Sequence, residues 1–147
     1  MQKKGSNEQG FTLIEIMVVI VILGFLATFV APRFFGQADE AKIAQTRAQI
    51  ASLETALKLY RLDNGTYPST EQGLQALVEP PSVGILPRKW REKGYMEKGV
   101  VPKDLWENEF IYLYPGLHSD FDLLSYGGDG VEGGEGTDAD ITNWETE

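Results

Sequence analysis

Residues Gln9–Pro32 read QGFTLIEIMVVIVILGFLATFVAP. No residue from Ile16 to Pro32 is charged, and from Phe11 to Ala31 only Glu15 is. A run of ~20 apolar residues matches the hydrocarbon core of a bilayer, about 30 Å thick. The preceding residues, MQKKGSNEQG, are polar and carry Lys3 and Lys4. Positive charge ahead of an apolar run keeps that end in the cytoplasm and sends the rest of the chain outside. A cleaved secretory signal fits less well. The run exceeds the usual apolar region, small residues are not clearly presented at its end, and the helical pattern continues past Pro32. A plain membrane anchor leaves Glu15 unexplained.

Beyond Pro32 the pattern changes from uniformly apolar to amphipathic. Ile43, Ile50, Leu53, Leu57 and Tyr60 recur at helical spacing, with Lys42, Gln45, Arg47, Gln49, Glu54 and Lys58 between them. Ala41, Ala44, Ala48, Ala51 and Ala56 favour helix. Asp63-Asn64-Gly65 offers a left-handed cap. One helix is therefore expected from about Phe11 to Leu62, about 75 Å at 1.5 Å per residue. Its first half belongs in lipid and its second half on a globular head. Gly24 and Pro32 weaken the first half, so a kink near Pro32, or unwinding between the two on assembly, is expected there.

The chain has 147 residues and a formal charge of −9, which argues against a nucleic-acid surface, since phosphate binding needs clustered Lys and Arg. It has no cysteine and one histidine, His118, so thiolate chemistry is absent and a zinc site or a Ser-His-Asp triad is poorly supported. Ser69, Thr70 and Gln72 suggest a capped short helix through about Val78, stopped by Pro80 and Pro81. Ser82 to Lys98 reads as irregular, with Trp90 and Tyr95 as aromatic anchors. EFIYLYPG puts Phe110, Tyr112 and Tyr114 on one face of a strand. DFDLLSYG alternates Phe121 and Leu123 with Asp120 and Asp122 before turning apolar. Together they predict an antiparallel hairpin packed on the helix, an α+β architecture.

GGDGVEGGEGTDAD, residues 127–140, holds six glycines and five carboxylates: Asp129, Glu132, Glu135, Asp138 and Asp140. A solvated flexible loop is one reading. An EF-hand fails, because Val131 and Gly133 would fall at its third and fifth positions. A β-roll repeat fails too, because Asp140 falls where it needs an apolar residue and one or two copies cannot stack. A single calcium site is the other reading, since carboxylates and carbonyls on a sharply turning backbone suit that ion.

GFTLIE behind a short basic leader resembles the class III signal of type IV pilins and pseudopilins. LYRLDNGTYPSTEQGLQAL, VPKDLWENEFIYLYPG and SYGGDGVEGGEGTDADITNW extend the resemblance over nearly the whole chain, to the major pseudopilins of type II secretion. Leu105 and Glu107 depart from the pattern, which often has Pro and Gly there. The resemblance implies a type IV pilin-like α+β fold, a long N-terminal helix on a small antiparallel sheet with a calcium-binding C-terminal loop. It implies a leader at 1–10, a transmembrane and filament-core helix at 11–32 and a periplasmic head at 33–147. A prepilin peptidase would cut between Gly10 and Phe11, and the new Phe11 amine would be N-methylated. Calcium would be held by Asp129 and Asp140, with Asp138 close behind and the Tyr126 carbonyl as a backbone ligand; Glu132 and Glu135 would face solvent.

The function so implied is structural. The subunit would leave the inner membrane to polymerise with itself into a periplasmic pseudopilus that drives folded proteins through an outer-membrane channel. Its partners would be other copies, minor pseudopilins, the peptidase and an inner-membrane assembly platform. No nucleotide-binding G-x-x-x-x-G-K-[ST] loop is present. A major type IV pilin is the nearest alternative, although such heads often carry a disulfide and this chain has no Cys. A calcium-dependent enzyme fits poorly, because the carboxylates share one loop rather than flanking a cleft. Glu15 now has a use. Cleavage makes a cation at Phe11, and four helical residues span about 6 Å. A neighbour shifted axially by that distance or somewhat more can pair its amine with this carboxylate, which would set subunit register.

Overall fold

The computed structural model describes residues 10–145, leaving out the side chains of 29–37. The leader with Lys3 and Lys4 lies outside the described residues, whereas the backbone from Gly24 through Pro32 is described and is helical. The chain divides into two compact units, Met1–Ala38 and Asp39–Glu147. The element order is α1 (Leu13–Asn64), a 3-10 turn (Leu74–Leu77), β1 (Ile111–Leu113), β2 (Asp122–Ser125), a second 3-10 turn (Gly136–Asp138) and β3 (Ile141–Thr142).

In the first unit, α1 is apolar on every side. Leu13, Ile14, Ile16, Met17 and the residues on to Leu26 expose their side chains all round the helix. Water does not tolerate such a surface on an isolated helix, so lipid or other helices must cover it. The described apolar stretch ends at Thr28. Among the described residues no helix is long and apolar enough to cross a membrane.

The second unit holds the core. Ile50, Leu53, Leu57 and Tyr60 are buried, with Ile43 packed against them, as the helical stripe predicts. The helix ends at Asn64 because Gly65 takes φ 83° and its N–H reaches back to the Arg61 carbonyl at 2.7 Å. Across the core lie Tyr67, Leu74, Leu77, Phe110, Tyr112, Phe121 and Leu123. The sheet order is β1-β2-β3, both pairs antiparallel, with Tyr112 opposite Leu123 and Ser125 opposite Ile141.

Three local readings change. The capping box at Ser69 is present: the Ser69 N–H reaches Gln72 Oε1 at 3.0 Å and the Gln72 N–H reaches Ser69 Oγ at 3.2 Å. It opens only turns and the short 3-10 segment, because the buried Gln72 amide also binds the Val83 and Ile85 carbonyls at 2.6 and 2.9 Å. Asp122, which alternation sets on the face opposite Phe121 and Leu123, is not exposed there. It is 1% exposed, and all four β2 residues are buried. The third strand, β3, was not expected, since two residues are too short to show a period. Trp90 and Tyr95 do anchor the irregular segment: the Trp90 indole donates to the Ala76 carbonyl at 2.9 Å, and Tyr95 packs at 5.2 Å on Tyr60.

Candidate functional site

The residues expected to act fall into two groups, one in each unit. At the N-terminal end, Gly10 and Phe11 precede α1, and Phe11 is 79% exposed. Glu15 stands in the first helical turn. The Thr12 N–H reaches Glu15 Oε2 at 3.4 Å, and the Glu15 N–H reaches Thr12 Oγ1 at 3.3 Å. This is a reciprocal capping box, T-x-x-E, opening α1. Thr12 was missed as a partner, although the four residues TLIE carried the signature. The carboxylate is therefore sited where helix N–H groups are unpaired and the macrodipole favours negative charge.

The acidic loop joins β2 to β3. The two arms of its backbone lie close: the Gly128 N–H donates to the Thr137 carbonyl at 2.8 Å. A Cβ on Gly127, whose φ is 64°, would meet the Ala139 carbonyl oxygen at 2.7 Å; one on Gly128 would meet Asp138 Oδ1 at 2.8 Å. Glycine is required at Gly127 by this close backbone approach and by its left-handed conformation, whereas at Gly128 the nearest atom is the movable end of the Asp138 side chain.

Asp129 is exposed and accepts the Val131 N–H at 3.0 Å. Asp140 Oδ2 accepts the Gly133 N–H at 3.0 Å, while Asp140 Oδ1 is buried with no hydrogen-bond partner. Glu132 and Glu135 face solvent, and Asp138 is half-buried. Among the described residues, no three acidic or histidine side chains converge closely enough to hold a metal. The loop thus brings Asp138 against Gly128 and leaves Asp129, Asp138 and Asp140 ungathered. The orphaned Asp140 oxygen, the all-oxygen donor set and the tightly packed glycine arms nevertheless fit a hard cation.

Asp122, at the end of β2 opposite this loop, has a different task. Its carboxylate accepts the N–H groups of Leu117 (2.8 Å), His118 (3.1 Å) and Ser119 (3.2 Å), and His118 Nδ1 lies 2.9 Å away. Burial pushes this carboxyl up, but the His118 contact and the three backbone donors outweigh it and hold it below its ordinary value. The His118 ring stacks on Trp144 at 4.2 Å. His118 is thus a structural residue of the β1–β2 turn.

A helix apolar all round with a capped carboxylate at its start, leading into a head packed on that helix's amphipathic end, defines a pilin-like filament subunit. The model of type II secretion system (T2SS) protein G matches residues 33–144, and the prokaryotic N-terminal methylation motif matches residues 5–31. The chain belongs to the T2SS protein G family. The type II secretion system core protein G of Pseudomonas aeruginosa is 48% identical over 145 residues, 99% of each chain. That of Vibrio cholerae is 49% identical over 142 residues, 97% of this chain and 95% of the other. The crystal structure of the major pseudopilin from the type 2 secretion system of enterohaemorrhagic Escherichia coli shares 43% identity at a TM-score of 0.65, covering 75% of this chain and 92% of that one. The family is one of structural subunits, and it favours the pseudopilin over the type IV pilin.

Proposed function

We propose that the chain is the major subunit of a periplasmic pseudopilus. It is cut between Gly10 and Phe11, methylated on Phe11, and held in the inner membrane by a single pass with its head in the periplasm. From there it is drawn, with minor pseudopilins and an inner-membrane assembly platform, into a filament that drives folded proteins through the outer-membrane channel. The observation that carries this is the apolar circumference of α1, exposed from Leu13 to Leu26 and interrupted only by Glu15. Such a surface needs lipid before assembly and other helices after it.

In this reading Glu15 caps its own helix while the subunit waits and receives a neighbour's Phe11 amine in the filament. Glu15→Ala should insert, be cleaved and yield an N-methyl-Phe11 terminus by N-terminal sequencing, yet assemble few filaments by electron microscopy. Normal filament yield would remove the register role. A mature terminus beyond Ala31 would remove the proposal as a whole.

The acidic loop binds calcium, with Asp129, Asp138 and Asp140 and the Tyr126 carbonyl as its donors. The unpartnered Asp140 oxygen supports this, since a cation would satisfy it. Bound calcium offsets part of the charge of a loop of five carboxylates and stabilises the fold by mass action, about 2.7 kcal/mol at a hundredfold excess over Kd. Calcium should raise the melting temperature of the wild type and raise that of Asp129→Ala less. An unchanged wild-type melting curve in EGTA would rule the site out.

A further inference from the structure

A buried carboxylate outside the acidic loop reaches into it. Asp104, in the turn before β1, is 3% exposed. Its Oδ1 accepts the N–H groups of Trp106 at 2.9 Å and Asn108 at 2.8 Å. Its Oδ2 accepts the hydroxyl of the fully buried Ser125 at 2.6 Å. Ser125 Oγ in turn accepts the Gly127 N–H at 3.2 Å, and Asn108 Nδ2 donates to the Gly127 carbonyl at 3.1 Å. Both backbone groups of the first loop glycine are therefore held by residues outside the loop.

The two N–H bonds at Oδ1 are enough to shape a turn. The bond at Oδ2 does something else. A serine hydroxyl has one proton, and giving it to Asp104 turns the oxygen's lone pairs toward Gly127. The charge on Asp104 makes this a strong, directional contact. The Gly127 N–H and the Tyr126 C=O belong to one peptide unit, planar and trans, the one cis bond among the described residues being Tyr114–Pro115. Fixing the N–H on Ser125 therefore fixes the carbonyl, which points the opposite way. Among the described residues no hydrogen bond ends on the Tyr126 carbonyl.

We propose that Asp104 and Ser125 are positioning residues for the loop's cation: their relay aims the Tyr126 carbonyl while touching no ligand themselves. This rests on the calcium reading above. It separates a part of the turn that folds the head from a part that prepares a donor, and it explains why a carboxylate rather than an amide sits at position 104. An Asn there would keep an oxygen for Trp106 and Asn108 but would offer an N–H to Ser125. The serine proton would then lose the charged acceptor that orients it, and its oxygen would have to accept from two N–H groups, which loosens the relay.

The test uses the full processed chain in detergent micelles. Calcium chloride is titrated calorimetrically, and melting temperature is measured separately in EGTA. Ser125→Ala should weaken calcium binding at least tenfold, and Asp104→Asn at least fivefold. Tyr112→Phe serves as the structural control. It deletes a buried hydrogen bond to the Pro68 carbonyl (2.8 Å) and should lower the EGTA melting temperature without moving the calcium Kd. Ser125→Ala or Asp104→Asn variants that melt lower yet bind calcium within twofold of wild type would overturn the proposal. If Ser125→Ala does not fold, Asp104→Asn decides. Wild type that binds no calcium would instead remove the calcium reading, and the positioning role with it.

Discussion

Glu107 follows Asp104 in the turn before β1 and takes φ 69°, the one non-glycine residue with positive φ among the described residues. An L side chain is strained in that region. This is one of two positions where the chain departs from the family pattern, and the structure shows the cost: the backbone keeps the glycine conformation without the glycine. Glu107→Gly should stabilise the head by about 0.5–1 kcal/mol, the relief of strain partly offset by a looser unfolded chain. A urea titration that shows no gain would mean the turn relaxes around Glu107. Glu15 carries the complementary lesson. Its hydrogen bonds with Thr12 show that a carboxylate at the start of an apolar helix has a local use before any partner arrives. The assembly role proposed for it must therefore be read from filament yield, with cleavage and insertion as the controls.

At the scale of elements, α1 was legible because periodicity over many turns leaves little choice: the stripe from Ile50 to Tyr60 is the buried face. The hairpin was legible for the same reason. The burial of Asp122 was not legible, because alternation assigns a face by polarity and a carboxylate that accepts three backbone N–H groups can be buried. Its pH consequence follows from the sign of the shift. The folded value is depressed, so the stabilisation is complete above the unfolded value of about 3.9 and is lost as pH falls through the lower folded value. Asp122→Asn should cost about 2–3 kcal/mol at pH 7, because an amide group faces backbone donors it cannot all satisfy. The gap to wild type should narrow as both are acidified. An equal gap at pH 7 and at pH 2.5, by urea unfolding, would show that the charge on Asp122 contributes nothing.

Over the whole molecule, the buried hydrophobic cluster begins at Ile50 and lies entirely within Asp39–Glu147. The first unit buries nothing comparable of its own among the described residues. A fragment starting at Asp39 should therefore fold and melt cooperatively without detergent, as followed by circular dichroism, whereas the complete chain should need detergent to stay dispersed. A fragment that lacks a cooperative transition would show that the head depends on the apolar half of α1. The same division accounts for the two surfaces this protein must manage. One is apolar and, in the function proposed above, passes from lipid to neighbouring helices. The other is a head of net acidic character with its own core.

The sequence alone determined the processing motif, the apolar run with its single carboxylate, the amphipathic stripe, the hairpin and the acidic glycine loop. Each is a local pattern, carried by residues within a few turns or strand positions of one another. Only the tertiary structure decided that Asp122 is buried, that Ile141–Thr142 completes the sheet, and that Asp104 reaches Ser125 and through it Gly127. Those facts join residues distant in the chain, and no periodicity encodes them. They depend on where the packed core brings a donor within about 3 Å of an acceptor.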